Sequence, residues 1–165
     1  MPAYKSARTF SLLLRDRRGA MAIEFALLAP VFLLIMCAWT EVGLCLLMES
    51  SLDNATRDAS RLIRTGSATE ATFRAAICAK APAIPCASIT YNVQSGTSFS
   101  SLSYVAVSST GTLPSTGFTI GSSGSDMLVQ VAYSKPAFFS SFLKATGFGG
   151  NILIMTTLAF QNESY

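Results

Sequence analysis

The run from Ala26 to Met48 limits this chain more than any other feature, because Thr40 and Glu41 alone break a stretch that is otherwise almost entirely apolar. As a helix it would extend about 35 Å, enough to cross a hydrocarbon layer of about 30 Å. Lys5, Arg8, Arg15, Arg17 and Arg18 precede it against only Asp16. Excess positive charge on that side predicts an N-terminus held in the cytoplasm and a C-terminal part sent outward, with Arg15, Arg17 and Arg18 nearest the membrane. The formal charge of +3 is therefore a topology signal. Beyond Gly19 the basic residues (Arg57, Arg61, Arg64, Arg74, Lys80, Lys135, Lys144) are slightly outnumbered by acids. That balance offers no basic surface for nucleic acid.

A cleaved secretory signal fits poorly, since the small-residue pattern Ala20-Met21-Ala22 precedes the apolar run instead of following it. Met36 stands before Cys37, where a lipoprotein signal requires a small residue, and Arg17-Arg18 lacks the rest of a twin-arginine signal. Pro30 lies inside the helix, has no N–H to offer Ala26, and predicts a kink or a locally loosened turn. That kink either eases passage into a packed bundle or is harmless. Glu41 reads as a boundary carboxylate reaching headgroups or water. Glu24 lies at the start of the helix, where an ionisable side chain is costly and a functional candidate by default.

Past the membrane the helix is expected to continue through Glu49–Thr65, with Leu52, Ala55, Ala59, Leu62 and Ile63 on one face and Asp53–Arg57 placed as an exposed pair. Gly66 ends it. Ser67-Ala68-Thr69-Glu70 then reads as a capping box for a second helix reaching about Lys80, with Phe73 and Ile77 inward. Cys78 and Cys86 flank a short loop containing Pro82 and Pro85, and in an oxidising compartment they are expected to bridge; the alternative is two free thiols. Cys37 and Cys45 lie inside the apolar helix, where a small soft side chain packs.

From Ser88 the texture becomes Ser-, Thr- and Gly-rich with alternating apolar positions. Ile89–Val93, Leu102–Val107, Met127–Tyr133 and Ile152–Phe160 are the expected strands. The links Ser95–Ser98, Ser108–Gly111 and Gly121–Ser125 suit turns. An antiparallel sheet packed on the amphipathic helix would bury both apolar faces, an α+β arrangement. Phe138, Phe139, Phe142 and Phe148 occupy a connection between two strands; folded inward they complete the core, which is the favoured reading, and exposed they would form a contact patch. The chain has no histidine, its acids are scattered, and no glycine-rich phosphate loop follows a strand. Neither an enzyme nor a metal or cofactor site is expected.

Gly19 followed by Ala20-Met21-Ala22-Ile23-Glu24-Phe25 resembles the processing site of type IVb prepilins, in which glycine precedes four residues, a glutamate and an aromatic. Ala22 to Pro30, then Glu41-Val42-Gly43, resembles the TadE-like family of minor pseudopilins of the tight-adherence (Flp) pilus system. The end, Ala159-Phe160-Gln161-Asn162-Glu163-Ser164-Tyr165, is similar to that family's aromatic-x-Asn-Glu-Pro-aromatic ending, with Ser164 in place of proline. Phe25 stands where the major pilin carries tyrosine.

The resemblance implies cleavage between Gly19 and Ala20 by a prepilin peptidase, with Glu24 then registering one helix against another by pairing with the new ammonium of Ala20. It implies a pilin-like fold anchored once in a bacterial inner membrane, with its head in the periplasm or carried into the pilus. The implied partners are the peptidase, other minor pseudopilins, the major pilin, the inner-membrane assembly machinery and membrane lipid. The expected divisions are a basic leader over 1–19, a transmembrane helix over 20–48, the amphipathic continuation with the second helix and Cys loop over 49–87, and the sheet over 88–165. The expected role is priming or assembling a pilus for surface attachment. A pilus shaft subunit and an uncleaved membrane-anchored periplasmic binding domain are the alternatives.

Overall fold

The computed structural model describes residues 19–109, 111–114, 117–138 and 150–164. Arg15, Arg17, Arg18, Phe139, Phe142 and Phe148 lie outside the described residues. Helix α1 runs from Ala20 to Arg64 and α2 from Glu70 to Lys80. The strands are β1 (Ile89–Gly96), β2 (Gly117–Phe118), β3 (Asp126–Pro136) and β4 (Asn151–Gln161). A long N-terminal apolar helix followed by a small sheet is an α+β arrangement. The chain divides within α1 into two compact units, Met1–Thr40 and Glu41–Tyr165.

In the first unit the described residues are helical from Ala20, and the helix continues across Pro30. Large apolar side chains stand exposed all round it, among them Met21, Phe25, Leu28, Phe32 and Trp39. A helix apolar on every face needs lipid or other helices as its solvent. It is the one helix among the described residues long and apolar enough to cross a membrane.

The second unit begins where α1 acquires a preferred face. Glu41, Cys45 and Met48 are half-buried, and Leu52, Ala55, Ala59 and Ile63 are fully buried. Steps of three and four residues keep this stripe on one side of the helix. Phe73 and Ile77 of α2 join it over one sheet face, against Tyr91, Val93, Met127, Val129, Val131 and Phe160. Phe73 meets Tyr91 edge-on and tilts against Phe118, with ring centroids 5.7 and 5.4 Å apart.

The sheet order is β2-β1-β3-β4. β3 runs antiparallel to both β1 and β4, and β2 is parallel to β1 through two residues, Asn92↔Gly117 and Val93↔Phe118. The sheet is thus mixed, correcting the expected antiparallel one. Leu102–Val107 is not a strand. Its Val105 N–H goes to the side chain of Gln130, at 2.9 Å, instead of to a neighbouring backbone. Gln130 lies on the sheet face opposite the helices, since it alternates with the core residues Val129 and Val131. The segment therefore lies over that second face, which explains why Leu128, Gln130 and Ala132 are buried as completely as the core.

The end of α1 has a double lock. Gly66, at φ 69°, donates to Ile63 O, and Ser67 N–H reaches back to Leu62 O, both at 3.0 Å. This is a Schellman ending, which requires a residue that accepts positive φ. Because Ser67 is committed here, the next helix takes Thr69 as its N-cap, with Thr72 completing the capping box, two residues later than the expected Ser67. Glu70 is freed to accept a hydrogen bond from the Tyr91 hydroxyl at 2.8 Å.

Candidate functional site

Two sets of residues hold the positions singled out by the sequence: the start of α1 and the contacts that shape the second unit. Gly19 is exposed and immediately precedes the first helical residue, and a Cβ added to it would meet nothing within 4 Å. Among the described residues nothing crowds that side of Gly19. Ala20 opens the helix and Glu24 follows one turn later, on the same side by helical spacing. Glu24 is exposed, and Phe25 beside it is 73% exposed. Phe25, Leu28, Ala29, Phe32 and Leu33 line a shallow apolar groove. The small Ala29 forms a notch between two phenylalanines, a shape that accepts a side chain from another helix.

In the second unit, Glu41 accepts from Lys135 Nζ at 3.1 Å and from the backbone N–H of Phe138 at 2.6 Å. Both charged side chains are largely sequestered, with 12% and 14% exposed. Lys135 also approaches Cys45 Sγ, at 3.9 Å. Glu41 is thus bound by the protein, not turned to headgroups or water. Phe138 is 78% exposed, so it does not complete the core as the favoured reading expected; its amide is fixed at Glu41 while the residue stays at the surface.

Cys78, in the last turn of α2, is bonded to Cys86, their Cα atoms 5.3 Å apart. The bond closes the loop whose Ile84 is buried and whose Ala81 N–H continues the helix by bonding Ile77 O. Arg74 donates to Cys86 O at 3.4 Å.

Asn162 is 4% exposed and fastens the 120–125 loop. Its Nδ2 donates to Ile120 O at 2.8 Å and to Ser122 O at 3.2 Å, and its backbone N–H donates to Ser125 O. The next N–H, of Glu163, donates to Arg64 O at the end of α1. Arg64 lies over the Phe160 ring, 5.0 Å from its centroid. These contacts give the Phe-Gln-Asn-Glu sequence a purpose that residue spacing alone did not reveal: it ties the last strand to the helix end and to a glycine-containing loop. Gly121, at φ 62°, sits where a Cβ would collide with Ser95 and Ser125.

No curated protein and no solved structure matches the chain. Residues 19–61, from Gly19 through the apolar helix and most of its buried stripe, match the family model described as TadE-like protein, and over that segment the chain is similar to the TadE-like family.

Proposed function

We propose that this chain is a minor pseudopilin, cleaved after Gly19 by a prepilin peptidase, that helps to prime or assemble a tight-adherence type IVb pilus used for surface attachment. The observation that carries the reading is the family match beginning at Gly19 and covering the helix with Glu24 in its second turn. TadE-like proteins belong with the tight-adherence pilus as structural components, and the membrane-anchor character of the helix suits such a component.

In this reading the N-terminus faces the cytoplasm and the sheet-bearing unit faces the periplasm, where a Cys78–Cys86 bridge persists. Cleavage creates an ammonium at Ala20, one turn from Glu24. In lipid an unpaired carboxylate is expensive, so Glu24 favours the helix register that brings it to an ammonium, its own or a neighbour's. Apolar side chains around the helix then pack against other stems, and Pro30 loosens one turn of the ladder where that packing needs it.

Expression of the full chain with and without its prepilin peptidase tests the processing step. The mass should fall by that of residues 1–19 only when the peptidase is present, and an unchanged mass would indicate a plain membrane anchor. Replacement of Glu24 by Gln should leave cleavage intact and reduce piliation at least tenfold. Normal piliation in that strain would remove the registration role.

A further inference from the structure

The two edges of the sheet are unequal. At one, β2 is only two residues long. At the other, β4 presents eleven residues, Asn-Ile-Leu-Ile-Met-Thr-Thr-Leu-Ala-Phe-Gln, without a charge, a proline or a glycine. Among the described residues β4 pairs only with β3, along its full length, and nothing pairs with its outer side. Proteins usually protect such edges with lysine, proline, bulges or short strands, because a long uncharged edge invites pairing with another chain. None of these devices is present in β4.

Beside the C-terminal half of this edge, α1 carries Arg57, Arg61 and Arg64 on one stripe. Together with Ser60, Asp58, Leu158, Ala159 and Phe160 they line an open groove of about 300 Å³. Arg57 is paired with Asp53 at 2.8 Å, and Asp58 with Lys80 at 3.4 Å. Among the described residues Arg61 has no carboxylate within salt-bridge distance, and the Arg64 Nε is buried without an acceptor. The groove therefore retains positive charge after its internal pairs are counted. A second copy of this chain is a poor occupant. A second copy docking through its own β4 would bring no carboxylate to the arginines, because that strand is uncharged.

We propose that β4 is the docking edge for an extended segment of a different protein, which adds a fifth strand and directs carboxylate side chains into the Arg57–Arg61–Arg64 groove. Main-chain bonds supply affinity in this mode, and the alternating side chains supply choice of partner. The proposal rests on the Glu41–Tyr165 unit alone and holds whether or not the stem is processed.

Hydrogen–deuterium exchange on the full chain in detergent tests it, with two synthetic ten-residue probes, one alternating Thr and Glu and the other Thr and Lys. In the free chain, alternate β4 amides should exchange at least tenfold faster than those of β3. The glutamate probe should slow them at least tenfold and the lysine probe should not. Arg61→Glu, an exposed substitution whose fold is checked by near-ultraviolet circular dichroism, should abolish or reverse that preference. Equal protection by both probes, or none by the glutamate probe, would overturn the proposal. So would β4 amides already as protected as those of β3, or protection that rises with protein concentration alone, which would identify a second copy as the occupant.

Discussion

Replacing Asn162 by alanine removes the side chain that fastens the 120–125 loop to the end of β4. Two hydrogen bonds to backbone carbonyls, at 2.8 and 3.2 Å, disappear in a site where Asn162 is only 4% exposed. At about 1 kcal/mol net for each bond, with a further fraction for the small void, the loss is about 2.5 kcal/mol. Unfolding entropy of about 2.1 cal/mol/K per residue over the Glu41–Tyr165 unit converts this to a fall in Tm of about 10 °C. Near-ultraviolet circular dichroism of the full chain in detergent reads the transition through the buried Tyr91 and Tyr133. Asn162→Asp keeps the volume but cannot donate, and it turns a carboxylate toward two carbonyl oxygens, so it should be at least as destabilising as alanine. A shift below about 2 °C for alanine, or a wild-type Tm for aspartate, would show that the loop holds its shape without the clamp.

Three further outcomes follow from the contacts described. Glu41→Gln and Lys135→Met should each destabilise the second unit by about 2 kcal/mol, and the double variant should recover part of that loss, as a double-mutant cycle in thermal unfolding would reveal. Joint replacement of Cys78 and Cys86 by serine should cost about 2–3 kcal/mol, and dithiothreitol should then leave the Tm of that variant unchanged while lowering that of the wild type. Burial, and then the hydrogen bond to Glu70, raise the Tyr91 hydroxyl above the usual tyrosine pKa. Its contribution is therefore complete below about pH 10 and is lost as pH rises through the folded-state value, so Tyr91→Phe should flatten the alkaline limb of a Tm-against-pH curve.

Much of this arrangement is legible in the sequence wherever a period repeats. The 3.6-residue spacing of Leu52, Ala55, Ala59 and Ile63 and the alternation in Ile89–Val93, Met127–Tyr133 and Ile152–Phe160 specify elements because each buries a continuous face. Leu102–Val107 alternates equally well but is irregular, since a segment lying over a sheet face has the same inward and outward sides as a strand. β2 is too short to show any period. The pairing of Glu41 with Lys135 joins positions 94 apart, and no local signal announces it. At the start of the helix, Gly19 and Glu24 stand out by their order in the sequence alone, whereas the purpose of Asn162 emerges only when the loop it holds is folded beside it. The arginine groove has no sequence signature, because its residues look, one by one, like an ordinary solvated helix face.

The order of synthesis gives the buried stripe of α1 a further significance. Leu52, Ala55, Ala59 and Ile63 leave the ribosome long before Met127, Val129, Phe160 and the Asn162 fastening that cover them. For that interval the helix presents a bare oily strip, and nothing made so far can shield it. Folding of this unit must either be quick or be attended, so a chaperone or a companion subunit would meet this chain first along that strip.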